Sequence, residues 1–276
     1  MDNKLISGKE VSAQIKEQVK QEVAFLNSKG VYPKLSVIIV GENPASQSYV
    51  KGKHKDCAEC GIISDNIAMP ETISQAELLA EIDRLNNDDS VHGILVQLPL
   101  PKHIDEYAVI NAIAPEKDVD GFTAVNVGNM NIGKDCFTPC TPQGCMEILD
   151  HYGIDCTGKK AVVVGRSLVV GKPAAMMLIQ KNATVTICHT KTVDMPSVVK
   201  EADIVIVAAG RAGVIDGSYL REGQVVIDVG ININEEGKLC GDVKYDEAEK
   251  IVDAITPVPG GAGSVTTSVL VGHVVE

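Results

Sequence analysis

Short apolar runs alternate with helical stripes along this chain. Residues 35–40 read as a buried strand, 93–97 as another strand, and 62–69 is strand-like. Between them the apolar positions take helical spacing. Val11, Ile15, Val19, Val23 and Leu26 form one stripe behind Ser7-Gly8-Lys9-Glu10, which has capping-box spacing, and Gly30 is placed to end that helix. Asn43-Pro44 is an N-cap and first-turn pair for a helix reaching about Cys60, stopped by Gly61. Ser74-Gln75-Ala76-Glu77 is a second capping box, opening a helix to about Asn86, and a short helix is predicted over 105–114.

A loop rich in Gly, Asn and Asp is expected over 120–135, and then the pattern restarts. A helix over 141–153 precedes strands at 161–164, 184–188, 204–208 and 225–229; residues 265–275 suit either a strand or a helix. Helices between short apolar runs predict parallel sheets covered on both faces. The expected fold class is α/β: two α/β domains with a cleft between them, the C-terminal one Rossmann-like. Such a cleft is where a substrate is expected.

The most informative segment follows the run 161–164. It reads Gly165-Arg166-Ser167-Leu168-Val169-Val170-Gly171-Lys172-Pro173 and leads into a helix-like stretch over 174–181. A strand, a glycine turn and a helix start aim backbone N–H groups at an anion. Five residues separate the glycines and Pro173 follows the lysine, so a magnesium–nucleotide loop is not expected. Ser167 takes the place of the second glycine of the usual dinucleotide fingerprint, which leaves a variant dinucleotide turn. The next predicted strand ends in His189-Thr190-Lys191-Thr192, with no carboxylate before Asp194. An NAD site puts an acid near that position and an NADP site puts positive charge there. Lys191, with Arg166 in the turn, tips the expectation to NADP; a solvated basic loop is the plain alternative.

Bulk properties narrow the partners. At 276 residues with 45% hydrophobic and 22% charged side chains, the chain builds real cores. No apolar run approaches the roughly 20 residues of a membrane helix, and the start Met1-Asp2-Asn3-Lys4 does not read as a signal peptide. A formal charge of −12, no tryptophan and 3% aromatics argue against nucleic acid and anionic membrane as partners. Of eight cysteines, Cys57 and Cys60 form a C-x-x-C after His54, but no second pair has zinc spacing. No metal is expected; the thiols read as reduced and mostly buried, in a cytoplasmic protein.

The first half carries a second constellation. Tyr49 and Lys53 are four apart on a predicted helix and share a face, which Cys57 continues. Gln97 ends a strand before Leu98-Pro99-Leu100-Pro101, at the edge where α/β sheets bind ligands; satisfying a loop backbone is an equal alternative. Lys117-Asp118-Val119-Asp120-Gly121 sets two acids on a turn, where Asx-type capping is the plain role.

Together these pieces resemble the bifunctional methylenetetrahydrofolate dehydrogenase/cyclohydrolase family. The matching segments are Ser48-Tyr49-Val50-Lys51-Gly52-Lys53, Val96-Gln97-Leu98-Pro99-Leu100-Pro101 and Pro115-Glu116-Lys117-Asp118-Val119-Asp120-Gly121-Phe122, then Pro139-Cys140-Thr141-Pro142, the turn 165–173 and Thr256-Pro257-Val258-Pro259-Gly260-Gly261. They occur in the family's order over nearly the whole chain. The resemblance implies oxidation of methylenetetrahydrofolate with NADP, hydrolysis of the methenyl product to the formyl form, and a homodimer. It implies a folate-binding catalytic domain over 1–120, joined by 262–276, and an NADP-binding domain over 139–256. By resemblance Lys53 is the central catalytic residue, Gln97 orients it and the attacking water, and Asp120 accepts hydrogen bonds from the pterin. Tyr49 packs on the aminobenzoate ring, and Gly260 and Gly261 allow close approach to the substrate. Gly165, Arg166, Ser167, Gly171, Thr190 and Lys191 hold NADP, with Ile231 near the nicotinamide.

Three positions depart from the family pattern. Ala262-Gly263-Ser264-Val265-Thr266 replaces Val-Gly-Pro-Met-Thr, and without the proline a looser loop is expected. Thr190 stands for a serine and Ala209 for a threonine. Rival readings are a two-domain oxidoreductase resembling shikimate dehydrogenase, a dehydrogenase without hydrolase activity, and a non-catalytic NADP- or folate-binding sensor.

Overall fold

The computed structural model describes residues 5–276, the side chain of Ala45 excepted; Met1-Asp2-Asn3-Lys4 lies outside the described residues. The chain divides into two compact units. One joins the described residues before Ala13 to Thr141–Thr266, the other joins Ala13–Cys140 to Thr267–Glu276. Both are α/β with parallel sheets, the expected class.

The unit containing Lys53 is built on three strands, β1 (Lys34–Val40), β2 (Ile63–Met69) and β3 (Gly93–Val96), in the order β2-β1-β3. Its helices include most of α1 (Gly8–Ser28), with α2 (Pro44–Cys60), α3 (Gln75–Asn86) and α4 (Glu106–Ile110). Central β1 is buried on both faces, which is why it reads as apolar apart from the buried Ser36. Ile38 and Val40 pack with Leu78, Ile82 and Leu85 of α3 and with Ile94 and Val96 of β3. The predicted signals mark the helix ends. Asn43 Oδ1 accepts from Ser46 N–H (3.2 Å), and Ser74 and Glu77 close a reciprocal capping box on α3 (3.2 and 3.0 Å). At the other end of α3, Lys117 Nζ donates to the carbonyls of Leu85, Asn86 and Asp88 (3.0, 2.9 and 2.8 Å). That cation satisfies orphan carbonyls and complements the helix dipole.

The loop expected over 120–135 holds a helix instead, α5 (Ala124–Asn131). Asn126, Gly128, Asn129 and Asn131 are weak helix formers, so its sequence gives no helical signal. Tertiary bonds hold it. Thr123 caps it through Asn126 N–H (3.3 Å), and Asn126 Nδ2 donates to Asp118 Oδ2 and to the Pro115 carbonyl (2.9 Å each).

The other unit contains most of α6 (Cys140–His151), then β4 (Lys160–Val164), α7 (Gly171–Gln180), β5 (Thr184–Cys188), α8 (Met195–Lys200), β6 (Ile204–Val207) and β7 (Val225–Asp228). A small hairpin, β8 (Asn232–Ile233) and β9 (Leu239–Cys240), precedes α9 (Tyr245–Ala248), β10 (Ala254–Ile255) and α10 (Ala262–His273). The five-stranded sheet is parallel, in the order β10-β7-β6-β4-β5. Its core joins Val162, Val205 and Val226 to Val199, Leu220 and Ile255.

Both sheets share one constraint. The chain passes from β1 to β2 on one side and then to β3 on the other; it passes likewise from β4 to β5 and then to β6. At each reversal the outgoing loops diverge and open a crevice at the carboxyl ends of the strands.

The ambiguous stretch 265–275 is helical as far as His273, within α10, and the loose loop expected around Ser264 is that helix's first turn. Ser264 N–H donates to the Gly261 carbonyl (2.9 Å), a bond that proline cannot make. Ser264→Pro exchanges that bond for a stiffer unfolded chain, two effects of about 1 kcal/mol and opposite sign. Its urea-unfolding stability is expected within about 1 kcal/mol of wild type; a gain or loss well beyond that would contradict the helical first turn.

Candidate active site

In the three-stranded unit, α2 and β3 bring two predicted residues into contact. Lys53 Nζ donates to Gln97 Oε1 (3.0 Å). Gln97 Nε2 donates to the Leu98 carbonyl (2.8 Å), and its backbone N–H continues the ladder to Ile38 (2.9 Å), so the amide is fixed with its oxygen toward the lysine. Both are half-buried and lie at the β1/β3 reversal. Tyr49 lies one turn before Lys53 with its side chain 51% exposed, open to a planar group. Cys57, one turn after, is fully buried, and desolvation pushes its thiol up to about 12. The Tyr49–Lys53–Cys57 stripe thus runs from solvent into the core.

The two acids of 117–121 have separate duties. Asp118 is buried and accepts from Gly121 N–H (3.1 Å), Thr123 N–H (2.8 Å) and Asn126 Nδ2, so it builds the turn. Gly121 has φ +71°, and an added Cβ would lie 2.5 Å from the Thr138 carbonyl carbon. Asp120 is left facing other groups. Burial raises its carboxyl pKa above the ordinary value, against the opposing charge of Lys53. Two neighbours had no role assigned from the sequence. Cys140 Sγ donates to the Val119 carbonyl (3.2 Å) and lies 3.9 Å from Asp120 Oδ1, and burial raises its thiol well above the usual range. His273 is buried with Nδ1 2.8 Å from the same carbonyl. Position 140 lies in the matching segment 139–142 and position 273 in no motif, and the fold brings both beside the Val119–Asp120 turn.

In the five-stranded unit the glycine turn sits at the β4/β6 reversal. Gly165 has φ +134°, donates to the Cys188 carbonyl (2.9 Å), and is so close to the Ala208 carbonyl that a Cβ would collide with it. A Cβ on Gly171 would strike the Gly165 carbonyl, so the second glycine lets α7 start against the turn. Ser167 Oγ accepts from Val170 and Gly171 N–H (3.1 and 3.3 Å), capping α7 and leaving its O–H to donate outward. Arg166, Thr190 and Lys191 are exposed on the adjoining β4 and β5 loops. Lys191 N–H donates to His189 Nδ1 (3.1 Å) and His189 N–H to Thr192 Oγ1 (2.9 Å), which fixes that second loop.

Ile231, Gly260 and Gly261 line one cavity of about 130 Å³ with Asp228, Pro257 and Ser264. Ile231 is half exposed. Gly260 needs its φ of +103°, and a Cβ on Gly261 would lie 2.5 Å from the Pro257 carbonyl oxygen, so the fold itself demands this glycine pair.

Comparison with known proteins identifies the family. Residues 6–120 match the family model "Tetrahydrofolate dehydrogenase/cyclohydrolase, catalytic domain", and 139–276 match its "NAD(P)-binding domain". The chain belongs to the tetrahydrofolate dehydrogenase/cyclohydrolase family. "Bifunctional protein FolD" of Moorella thermoacetica is 54% identical over all of this chain and 99% of its own. The solved FolD methylenetetrahydrofolate dehydrogenase/cyclohydrolase of Campylobacter jejuni superposes with a TM-score of 0.97 at 51% identity, covering 98% of this chain and 96% of its own. That of Trypanosoma brucei, complexed with NADP cofactor and inhibitor, has a TM-score of 0.92 at 40% identity, over 98% and 95% of the two chains.

Asp228, on the wall of the small cavity, gives a pH prediction. Its carboxyl is pushed up from 3.8 to about 6 by desolvation, against three backbone N–H donors, from Val243, Gly230 and Asp242. Between these two values the folded chain holds a proton that the unfolded chain has released. The group's favourable contribution is therefore complete below pH 3.8 and lost as pH rises through 6. Relative to Asp228→Asn, wild type is expected to lose about 2 kcal/mol of unfolding free energy from pH 4 to 6.5. A pH-independent difference between the two denaturation series would contradict this.

Proposed function

We propose that this protein oxidises 5,10-methylenetetrahydrofolate to the 5,10-methenyl compound with NADP and then hydrolyses it to 10-formyltetrahydrofolate. The observation that carries the reading is the Lys53–Gln97 hydrogen bond at a strand reversal, with a desolvated Asp120 whose carboxyl feels the charge of the same lysine. We assign the folate to 1–120 with 262–276 and the dinucleotide to 139–256. The fit to NADP rests on three features: the tight Gly165/Gly171 turn, where a Cβ at either position would strike backbone, the exposed Ser167 hydroxyl, and the exposed cations Arg166 and Lys191. NADP held there supplies the hydride acceptor.

The remaining chemistry belongs to the side chains. Asp120 accepts from the N–H donors of the pterin, replacing hydrogen bonds that burial removed. Tyr49 stacks on the aminobenzoate. In hydrolysis, water adds its oxygen to the methenyl carbon, the bond from that carbon to N5 breaks, and N5 keeps the electron pair. Gln97 positions the water and the Lys53 ammonium, and Lys53 relays protons as the adduct opens. Ile231 borders the nicotinamide, with Gly260 and Gly261 lining the substrate path. By the same family logic the protein is a cytoplasmic homodimer.

Wild type is expected to reduce NADP faster than NAD in the presence of methylenetetrahydrofolate, and then to accelerate decay of the methenyl absorbance. Lys53→Ala is expected to slow that decay by about 100-fold or more; normal decay in the variant would remove Lys53 from the mechanism, and reduction without accelerated decay in wild type would leave a dehydrogenase alone. Arg166→Ala is expected to weaken NADP binding by about tenfold, and Lys191→Ala by less, because a guanidinium forms paired bonds to a phosphate. Equal or reversed losses, read by titration of bound NADP, would overturn this assignment of the two cations.

A further inference from the structure

Two buried aspartates in the five-stranded unit have no part in the chemistry above, yet they hold its loops. Asp228 ends β7 and Asp242 follows β9; they are 3% and 0% exposed. Asp228 Oδ1 accepts from Gly230 and Asp242 N–H (2.9 and 3.0 Å), and Oδ2 accepts from Val243 N–H (2.9 Å). The packing is reciprocal. A Cβ on Gly230 would strike the Asp242 carboxylate, and a Cβ on Gly241 would strike that of Asp228. Each carboxylate lies where a glycine leaves room for it.

Asp242 then reaches a third segment. Its Oδ2 accepts from Ala209 and Gly210 N–H (2.6 and 2.8 Å), and its Oδ1 from Arg211 N–H and Asn232 Nδ2 (2.9 Å each). Three successive backbone N–H groups converging on one anion form a nest. The anion that fills it comes from the chain itself. Residues 209–211 continue β6 past the reversal, directly after Ala208, whose carbonyl abuts Gly165 of the dinucleotide turn. Asn232 belongs to the segment that carries Ile231. One carboxylate therefore ties the β6 loop to the β7 loop.

We propose that Asp242 is a positioning residue for the dinucleotide, holding the 209–211 backbone in the shape that forms the β6 side of the cofactor crevice. It acts through the backbone it binds and does not touch the cofactor. A side chain fixed by four donors spares the cofactor the entropy of ordering this loop, so its loss appears in affinity. The neutral isostere Asp242→Asn keeps the volume but turns an N–H₂ group toward backbone N–H donors, which breaks the nest from within.

This inference rests on the dinucleotide reading of the site, and the two fail differently. In Asp242→Asn the KM for NADP is expected to rise at least about tenfold, while kcat at saturating NADP stays within about threefold and the KM for methylenetetrahydrofolate within about twofold. An unchanged KM for NADP, or equal losses in all three parameters, would overturn the role of Asp242. Wild type that reduced neither NADP nor NAD would overturn the dinucleotide reading itself. A measurement on wild type is independent of whether the variant folds. In the dinucleotide-free protein the amides of Ala209, Gly210 and Arg211 are expected to exchange as slowly as those of β6; exchange at the rate of an open loop would overturn the proposal.

Discussion

The hydrogen bond between Lys53 and Gln97 is the interaction on which the reading of this protein depends. A lysine ammonium on a helix surface is usually a solvated charge with little to do. Here its partner is a neutral amide whose own N–H₂ group is spent on the Leu98 carbonyl, so the amide has one orientation to offer. A carboxylate partner would lock the charge into an ion pair; a neutral amide holds the ammonium in place without cancelling its charge. Asp120 places a desolvated carboxyl nearby, which Cys140 and the ordered Val119–Gly121 backbone surround.

What delivers these groups is a topological constraint used twice. A parallel sheet that grows first to one side and then to the other leaves two strand ends whose loops part company. At the first reversal the loops carry side-chain chemistry, an amide at the end of β3 and a lysine on the helix after β1. At the second they carry a glycine turn, Gly165 and Gly171, whose own amides are spent on the Cys188 carbonyl and the Ser167 hydroxyl, beside the exposed cations Arg166 and Lys191. The loop opposite that turn is shaped by the chain's own anion, the carboxylate of Asp242.

Much of this was legible in the sequence, because the signals are local. The β1 run, the capping box at Ser74 and the glycine stops at Gly30 and Gly61 stand where the pattern puts them. The illegible parts depend on contacts between distant positions. Helix α5 is written in asparagines and held by Asp118 and Thr123, so no propensity announces it. Cys140 and His273 meet at the Val119 carbonyl from opposite parts of the chain. Asp228 and Asp242 form no motif; their meaning lies in the glycines that make room for them. The Ser264 departure, read as a loosened loop, is benign because the segment is helical and its N–H is bonded.

The most direct test of the central claim is a double-mutant cycle on hydrolysis of the methenyl compound, with Lys53→Ala, Gln97→Ala and the pair together. If the two side chains act as one device, each single change removes most of the rate and the second adds little. Rate losses that multiply would show two independent contributions, and the hydrogen bond joining them would then carry no catalytic meaning.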